Sequence, residues 1–600
     1  MSDPTDSNAA DRDGHGGTGV RGRRRGALAV LAAFAVAVAL RASPLIRSSL
    51  PFNPDGIVYA GHVRLVAATG RLPLSRMPVD DLQFTAFLSV VSAVTGESAL
   101  VVAQPAIAVV GAVPVLVAAA VARRIAARIT RTAVPVGRVG PGVAAGLLAV
   151  GGLTLHRAMA VDEQTLGLLL VPLATVAYAR ASHTGRLGWY AVTAALALAL
   201  PPTHNLDTVV FGLVLVGWAV LAPGRTPRRL AGHVAAAVAF WAYAVGYFSL
   251  TARLTPAYVI QSARLTEALD LFAAWVILGA FGLAALARAR PRRVRVAGAL
   301  AVCVAFGLLA LNAATAVFPG LPRTPGVLLA ALLPLAIPSL AAAWALPTAL
   351  ADRPDGRAMA ALATAVALAI GFSLSAALTP PYLNTIYRVQ TFAHLPWAVL
   401  AGVALAVGLP RVRGVTGRSD AAGSDAAGDG STGSGGSVDP RHSGRPGRLR
   451  RAAVPVAAAV LLTCAAASLP IAFAGVDVVP YRGITEEAEF AGTSHAVAHV
   501  PGTWAGDDHL VRIAGYYDRD EPARRAPVSG WLAGGPPPDC AVVSQASWAT
   551  VGAQQYPRPA VAVDPGRYRG LLADRHVVYD AGTRDRVAMS LPSRPGGADC

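Results

Sequence analysis

Carboxylates at the polar interruptions of a strongly apolar chain are the residues whose type and spacing best suit chemistry. Asp55 lies in the sequence Asn53-Pro54-Asp55-Gly56, and the adjacent pair Asp80 and Asp81 follows in the same interruption. A second pair, Asp162 and Glu163, lies in a later, shorter interruption. A carboxylate at the wet edge of an apolar region can act as a general base or bind a divalent cation. A Pro-Asp-Gly turn and helix N-caps would use the same residues, and the sequence leaves both interpretations open.

Cationic side chains accompany these carboxylates. Arg157 precedes the Asp162–Glu163 pair, His204 lies in a short turn, and Arg388 follows Tyr387. A guanidinium group donates two parallel hydrogen bonds to phosphate oxygens, which favours an anionic ligand. The alternatives are a helix cap at His204 and snorkelling of Arg388 toward an interface. We predict that the following residues bind substrate: His204, Tyr387, Arg388, Arg157, Asp80 and Asp81.

Composition defines the elements that must position these residues. Hydrophobic residues make up 54% of the 600 residues and charged residues only 14%, whereas about 25% of a soluble domain is charged. Apolar runs recur at about 17 to 25 residues, the length that a helix needs to cross a hydrocarbon core of roughly 30 Å. The predicted fold class is an all-α polytopic membrane protein of about 13 helices. These helices are expected to begin near residues 26, 99, 142, 164, 187, 206, 230, 268, 296, 326, 358, 391 and 452.

The distribution of charge predicts the orientation of the chain. The net charge is +18, but the arginines are spread over many short loops, so a nucleic-acid partner is not expected. Arginine is more frequent in the predicted inside segments than in the outside loops. Arg123, Arg124 and Arg128 are an example of an inside group. This bias predicts a multi-pass protein of the cell membrane with a cytoplasmic N-terminus and an extracellular C-terminus.

The chain is predicted to divide into five parts. These are a disordered cytoplasmic tail (1–25), a transmembrane core (26–410) with a large first exterior loop (41–98), a disordered cytoplasmic linker (411–451), a last transmembrane helix (452–474) and an exterior domain (475–600). Within the first loop, Leu82 to Val94 is amphipathic and is expected to lie along the membrane surface. The exterior domain is predicted to be small and α/β or β-rich, because short β-prone runs begin at Cys540, Ala560 and His576 between Pro and Gly turns.

Four cysteines give a weak indication of compartment. Cys303 and Cys464 lie in apolar runs and are interpreted as small core residues. Cys540 and Cys600 lie in the predicted exterior domain, where an oxidising environment allows a disulfide. Their spacing alone does not establish that they pair.

The arrangement resembles the GT-C class of membrane glycosyltransferases, which includes oligosaccharyltransferases and protein mannosyltransferases. The resemblance rests on Asp55 in a long first exterior loop, on Asp162-Glu163 after the third span, and on Tyr387-Arg388 before the last core helix. It covers roughly residues 26 to 410 by layout. The chain lacks a Trp-Trp-Asp-Tyr-Gly motif, and Gly515-Tyr-Tyr-Asp-Arg-Asp is only an echo of it. An oligosaccharyltransferase that recognises an Asn sequon is therefore not expected.

This resemblance implies a reaction and roles for the residues. The implied reaction moves a sugar from a polyprenyl-phosphate-linked donor to a glycan or protein acceptor at the outer membrane face. Asp55 would be the base or a metal ligand, Asp162 and Glu163 the second catalytic carboxylates, and Arg388 the contact of the lipid phosphate. A divalent cation is a candidate cofactor, but the sequence shows no dedicated metal motif.

Two other functions remain open from the sequence. Many spans with exterior charges would also suit a secondary transporter, although inverted repeats and polar residues at mid-depth are not evident. A non-catalytic membrane scaffold with an exterior binding domain is the third possibility. The enzyme hypothesis predicts that Asp55, Asp162, His204 and Arg388 converge on one site; as ordinary boundary charges they would be scattered around the rim.

Overall fold

A computed structural model describes most of the chain. The described residues are 16–129, 139–222, 226–253, 267–317, 323–351, 354–375, 380–407, 445–473, 483–517, 522–556, 558–582, 586–593 and 600. Most of the predicted tail and linker therefore lies outside the described residues. Helix begins at Gly16 and again at Arg445, inside the segments predicted as tail and linker. Arginine is a good helix former, so these basic stretches continue the adjoining helices.

Nineteen helices precede the C-terminal part of the described chain, with short 3-10 turns at 43–46, 333–335 and 390–393. They are α1 (Gly16–Ala42), α2 (Pro54–Thr69), α3 (Leu82–Thr95), α4 (Ala99–Ile129), α5 (Val139–Val150), α6 (Gly152–Ala158), α7 (Glu163–Thr184), α8 (Leu187–Ala199), α9 (Asn205–Leu221), α10 (Pro227–Thr251), α11 (Leu269–Arg288), α12 (Pro291–Ala314), α13 (Gly326–Leu332), α14 (Ala336–Leu350), α15 (Pro354–Ser375), α16 (Pro380–Val389), α17 (His394–Val407), α18 (Arg445–Ala466) and α19 (Pro470–Phe473).

Helical segments capable of crossing a membrane dominate the described chain. Ten of them are long and apolar enough, and α5 with α6, bent by 64°, would make an eleventh. The shorter apolar helices α8 and α9, of 13 and 17 residues, lie at the two remaining positions where spans were predicted. The membrane part of the chain is thus all-α and polytopic. The predicted amphipathic run forms α3, in which Phe84 and Leu88 are buried and Val94 is exposed.

Small residues let the membrane helices approach each other closely. Gly140 of α5 and Gly402 of α17 face each other, and a Cβ on Gly402 would lie 2.5 Å from the carbonyl oxygen of Gly140. A close approach of backbones through glycine is a common way for helices to pack in lipid, where no hydrophobic force drives them together. This contact fixes α17, and with it the short segment that precedes α17, against the core.

The described residues from 483 onward form a separate α/β domain, the C-terminal domain. It contains α20 (Glu487–His499), β1 (Trp504–Ala505), α21 (Asp508–Ala514), β2 (Ala523–Arg524), α22 (Ala526–Leu532), β3 (Val542–Gln545), β4 (Ala553–Gln555), β5 (Arg558–Val561), α23 (Pro565–Ala573), β6 (Arg575–Ala581) and β7 (Val587–Pro592). Five strands form one sheet in the order β2-β1-β3-β7-β6, with β1 parallel to β2 and β3 and the other pairs antiparallel. The strands β4 and β5 form a separate antiparallel pair.

Sequence predictions for this domain agree with its structure. The runs beginning at Cys540, Ala560 and His576 overlap β3, β5 and β6. Cys540 and Cys600 form a disulfide with a Cα–Cα distance of 5.2 Å, which ties the end of the chain to the sheet. Trp504 and Trp548 are fully buried in the domain's own hydrophobic core.

Helix α2 joins the membrane core to the C-terminal domain. Tyr59, Ala60 and Val63 pack in the core of the membrane bundle, whereas Ile57 is part of the core of the C-terminal domain. On the Ile57 side, a Cβ on Gly61 would lie 2.8 Å from the backbone of Tyr516, so the two backbones touch there. Residues three and four apart share one helix face, so a single helix can serve both cores.

Candidate active site

Asp162 and Glu163 are adjacent in sequence but have different environments at the start of α7. Asp162 is the N-cap: its extended backbone precedes the helix, and its Oδ1 accepts a hydrogen bond from the amide of Thr165 at 3.1 Å. Its Oδ2 lies 3.0 Å from an Nη2 of Arg157. Burial raises the pKa of Asp162, and the charge of Arg157 opposes this effect. Asp162 therefore caps α7, as a purely structural residue would, and it also forms a buried ion pair with Arg157.

Glu163 is the centre of the candidate site. Its Oε2 accepts a hydrogen bond of 2.5 Å from the hydroxyl of Tyr59 in α2. Its Oε1 lies 3.3 Å from Nε2 of His204 and 3.5 Å from Nη1 of Arg388. Four segments that are distant in sequence therefore meet at the buried carboxylate of Glu163. We call Tyr59, Glu163, His204 and Arg388 the cluster.

His204 lies between two carboxylates and a guanidinium group. Its Nδ1 is 3.1 Å from Oδ1 of Asp207, and its Nε2 is 3.0 Å from Nη1 of Arg388. Burial lowers the pKa of His204, but the charge and hydrogen bond of Asp207 and the charge of Glu163 outweigh it, so the pKa is raised. Neutral His204 accepts a hydrogen bond from Arg388, whereas the protonated ring donates to Glu163.

A glycine on α7 makes room for the partner of His204. A Cβ on Gly167 would lie 1.4 Å from Oδ2 of Asp207, so no other residue fits while Asp207 keeps its place. The absence of a side chain at Gly167 thus allows Asp207 to orient the imidazole ring. No sequence motif marks this glycine.

The protonation of His204 gives a testable pH dependence. Because the pKa is raised in the folded state, the folded protein binds the proton more tightly than the unfolded chain. The stabilisation by His204 should be fully present below its unfolded pKa of about 6.5 and be lost as the pH rises through the folded value. The melting-temperature difference between wild type and His204→Gln should therefore shrink as pH increases. A difference that grows with pH would contradict this assignment.

Asp80 and Asp81 reach the same region from the loop before α3. Oδ2 of Asp80 accepts a 2.5 Å hydrogen bond from Nδ2 of Asn205. Asp81 occupies the N-cap position of α3, but its side chain makes no capping hydrogen bond. Burial, followed by the charges of Glu163 and Asp80, raises the pKa of Asp81 well above its usual value. A capping role therefore does not account for Asp81. Its carboxyl group is instead influenced by the charges of Glu163 and Asp80.

Asp55 lies at the start of α2, one helical turn before Tyr59. Asn53 is the N-cap of this helix, and its Nδ2 is 3.3 Å from Oδ2 of Asp55. The other carboxylate oxygen of Asp55 accepts a hydrogen bond from Arg512 of α21. Burial, and then the charges of Asp81, Glu163 and Asp55, raises the pKa of Tyr59 well above its usual value. Tyr59 therefore stays protonated and donates its hydrogen bond to Glu163. The charge of Asp55 is among those that raise the pKa of Tyr59.

Gln164 and the backbone of α16 connect the two halves of the site. Nε of Arg157 donates to Oε1 of Gln164 at 2.8 Å, and Nε2 of Gln164 donates to the carbonyl oxygen of Arg388 at 2.9 Å. Gln164 thus holds α7 and α16 together behind the charged groups. Tyr387 precedes Arg388 on α16, but none of the described hydrogen bonds or ion pairs joins its side chain to the cluster.

Six contributors to the site are not among the predicted site residues: Tyr59, Gln164, Gly167, Asn205, Asp207 and Arg512. Gln164 follows the Asp162–Glu163 pair, and Asn205 follows His204, so inspection of the polar neighbours of each motif would have found them. Arg512 offers no such signal, because it lies 457 residues from Asp55 in a different domain.

The site residues do not form a ready-made metal centre. The described part of the chain contains no group of three or more His, Cys, Asp or Glu side chains arranged to hold an ion. Asp55 is paired with Arg512, and Glu163 faces Arg388 and His204. One oxygen of Asp55 and both oxygens of Glu163 already face Arg512, Arg388, His204 or Tyr59, so these two carboxylates do not together offer a set of free donor atoms to a divalent ion.

No family model and no curated protein match this sequence. Solved structures with similar backbones include an Archaeoglobus fulgidus oligosaccharyltransferase in the apo form, with 14% identity, a TM-score of 0.46, and coverage of 83% of this chain and 60% of that chain. ArnT from Cupriavidus metallidurans in the apo state has 15% identity, a TM-score of 0.46, and coverage of 94% of this chain and 97% of that chain. The same protein bound to undecaprenyl phosphate has 17% identity, a TM-score of 0.40, and coverage of 95% and 99%.

The share of the solved structure that this chain covers differs between the two proteins. The chain spans about 60% of the archaeal oligosaccharyltransferase but nearly all of ArnT. Because the backbones agree only partly, the function proposed for this chain rests on the contacts within its own site.

Proposed function

We propose that this protein is a membrane glycosyltransferase that moves a sugar from a polyprenyl-phosphate-linked donor to a glycan or protein acceptor. The observation that carries the proposal is the convergence of Glu163, His204 and Arg388 with Tyr59 in one buried cluster. Asp55 lies one turn from Tyr59 at the edge of that cluster. A carboxylate beside a cationic phosphate site is the pair of groups that glycosyl transfer from a lipid phosphate requires.

Four residues have distinct roles in the proposed reaction: Asp55, Glu163, His204 and Arg388. An acceptor oxygen attacks the anomeric carbon of the donor sugar and forms a new C–O bond while the bond from that carbon to the phosphate oxygen breaks. Asp55 takes the proton of the acceptor. The departing polyprenyl phosphate keeps the electron pair, and Arg388 and His204 stabilise its negative charge. Glu163 orients both cations, so it acts on the reaction through them.

The two carboxylate oxygens of Asp55 differ in their access to the proton of the acceptor. The Oδ1 atom faces Arg512, whereas Oδ2 has, among the described residues, only the 3.3 Å contact with Nδ2 of Asn53. The Oδ2 atom is therefore the proposed proton acceptor.

A transporter is the second candidate, and the placement of charge argues against it. The candidate site lies at the Glu163 end of α7, whereas buried Asp355 is 3.5 Å from Arg180 near the opposite end of the same helix. Those ends are separated by about 25 Å, from a rise of about 1.5 Å per residue. Alternating access uses a site near mid-depth. A one-sided cluster favours catalysis at one membrane face.

We also propose that the site faces the outside of the cell membrane, with the N-terminus cytoplasmic. In a Cys303→Ser, Cys464→Ser background, a cysteine introduced by Glu97→Cys should react with a membrane-impermeant maleimide in intact cells. One introduced by Arg290→Cys, between α11 and α12, should react only after permeabilisation. The reverse pattern would place the site in the cytoplasm.

Purified protein decides between enzyme and transporter. Radiolabelled polyprenyl-phosphate sugars are incubated with the protein in detergent together with glycan and peptide acceptors, and transfer of label is measured. Proteoliposomes are tested in parallel for uptake of the free sugars. Label transfer without uptake supports the proposal, whereas uptake without transfer overturns it.

A further inference from the structure

The docking of the C-terminal domain on α2 brings one of its arginines to the candidate base. Arg512 lies on α21, whose N-cap Asp507 accepts a hydrogen bond from the amide of Leu510 at 3.1 Å. Its Nη1 donates to Asp55, and its Nε donates to Oδ2 of Asp508 at 2.9 Å. A guanidinium group that bonds two carboxylates in different directions has little freedom to rotate.

The partners of Arg512 differ in their burial, which shows which end is fixed. The Asp508 side chain is only 3% exposed, whereas the Asp55 side chain is 18% exposed. Asp508 also accepts a hydrogen bond of 2.8 Å from Arg525, whose side chain is 57% exposed. Asp508 thus anchors Arg512 within the C-terminal domain, and Arg512 in turn holds the more accessible Asp55.

A second residue of the C-terminal domain packs against the guanidinium group of Arg512. The guanidinium carbon of Arg512 lies 5.1 Å from the ring centroid of Tyr556, within the range of a cation–π contact. This contact is a further restraint on the guanidinium group of Arg512 from within the C-terminal domain.

The contact that delivers Arg512 is built into α2. Gly61 touches the Tyr516 backbone, and Arg64 donates to the carbonyl oxygen of Tyr516 at 3.0 Å. Arg64 also stacks over the Tyr516 ring at 4.7 Å from its centroid. Ile57 is completely buried in the core of the C-terminal domain. The helix that carries Asp55 therefore cannot shift relative to α21 without losing these contacts.

We propose that Arg512 is a positioning residue of the active site, and that the docked C-terminal domain sets the orientation of Asp55 for proton transfer. This inference rests on the proposed function of Asp55 as the base. Arg512 holds Oδ1 of Asp55 and leaves Oδ2 directed to the acceptor. The C-terminal domain is then a component of the catalytic site in addition to any role in acceptor binding.

Arg512→Gln should lower kcat about 100-fold and leave KM for the lipid-linked donor within about twofold, because misplacement of a reacting group by about 1 Å costs this much. Arg512→Lys should recover part of kcat, since lysine keeps the charge but cannot bond both carboxylates in the fork geometry. Arg525→Gln is the matched control. It removes an arginine from the same Asp508 without touching Asp55, and its kcat should stay within about twofold of wild type.

Gly61→Ala tests the docking without changing a polar group. The added methyl meets the backbone of Tyr516, two residues after α21, so this segment must move off α2 and carry α21 with it, and kcat should fall as in Arg512→Gln. Gly188→Ala is its control, because a Cβ at Gly188 meets nothing within 4 Å. Melting temperatures of all variants, measured in the same detergent, identify any that fail to fold.

The outcomes separate this inference from the proposed function. Unchanged or increased kcat in folded Arg512→Gln, while Asp55→Asn is inactive, overturns the positioning role alone. Full sugar transfer by Asp55→Asn removes the base on which the inference depends and overturns both. Equal losses in Arg512→Gln and Arg525→Gln would assign the effect to Asp508 and also contradict the proposal.

Discussion

Glu163→Gln is expected to lower kcat/KM for sugar transfer by about 1,000-fold. The substitution removes the charge that faces both His204 and Arg388, and loss of one preorganised electrostatic group from an active site costs about 2.7–4 kcal/mol in the transition state. A loss of about 4 kcal/mol in transition-state stabilisation corresponds to roughly three powers of ten in rate. Steady-state transfer from the lipid-linked donor measures it. Glu97→Gln, at an exposed carboxylate of the first loop, should leave the rate within about twofold.

A double-mutant cycle makes this prediction specific to the cluster. If Glu163 acts by orienting Arg388, the Glu163→Gln, Arg388→Gln double variant should be little worse than the more impaired single variant. Independent losses that multiply in the double variant would show that the two residues act separately. The 3.5 Å contact would then be incidental to the reaction.

Gly167→Ala is expected to reduce kcat about 100-fold although glycine has no chemistry of its own. The new methyl would occupy the position of the Asp207 carboxylate, so Asp207 must move away from Nδ1 of His204. An imidazole that loses its orienting partner no longer presents Nε2 to Arg388 and Glu163, and displacements of about 1 Å in a catalytic site cost about this factor. Turnover and thermal unfolding measured together distinguish loss of orientation from loss of fold.

The control for this variant lies in another membrane helix. Gly246→Ala in α10 adds the same methyl where nothing lies within 4 Å. Its turnover should equal that of wild type. A normal rate in Gly167→Ala would mean that Asp207 can move without consequence, and Asp207 would then have no part in orienting His204.

The length of the apolar runs was sufficient to predict the membrane helices. Apolar helical segments begin near each of the thirteen predicted positions, because long apolar runs in lipid have no other way to satisfy their backbone. The sequence also placed Asp55, Asp162, His204 and Arg388 at one end of the bundle. Charged residues are excluded from the interior of spans, so they collect at helix ends, and alternate ends lie on the same side.

Contacts between side chains were beyond the sequence argument. Asp162 and Glu163 were treated as an equivalent pair, but an N-cap residue is extended and the next residue is helical, so their carboxylates point to different partners. Asp55 was expected to share a site with Arg388, but its direct partner is Arg512. Such pairings depend on how two domains dock, and no local pattern records that.

Glycines show the same limit in another form. The composition includes 60 glycines, and nothing in the sequence separates Gly167 from the rest. Its importance appears only when α7 and α9 are packed and the Asp207 carboxylate fills the space where a Cβ would lie. Packing constraints of this kind come from tertiary structure alone.

Sugar transfer by Asp55→Asn is the most direct test of the proposed mechanism. Asparagine keeps the shape of the side chain but cannot accept a proton, and general base catalysis contributes about 10²–10⁴-fold. Transfer from the polyprenyl-phosphate donor should therefore fall by about 1,000-fold, while Asp270→Asn, at an exposed carboxylate on α11, keeps wild-type activity. Transfer by folded Asp55→Asn at the wild-type rate would contradict the assignment of Asp55 as the catalytic base.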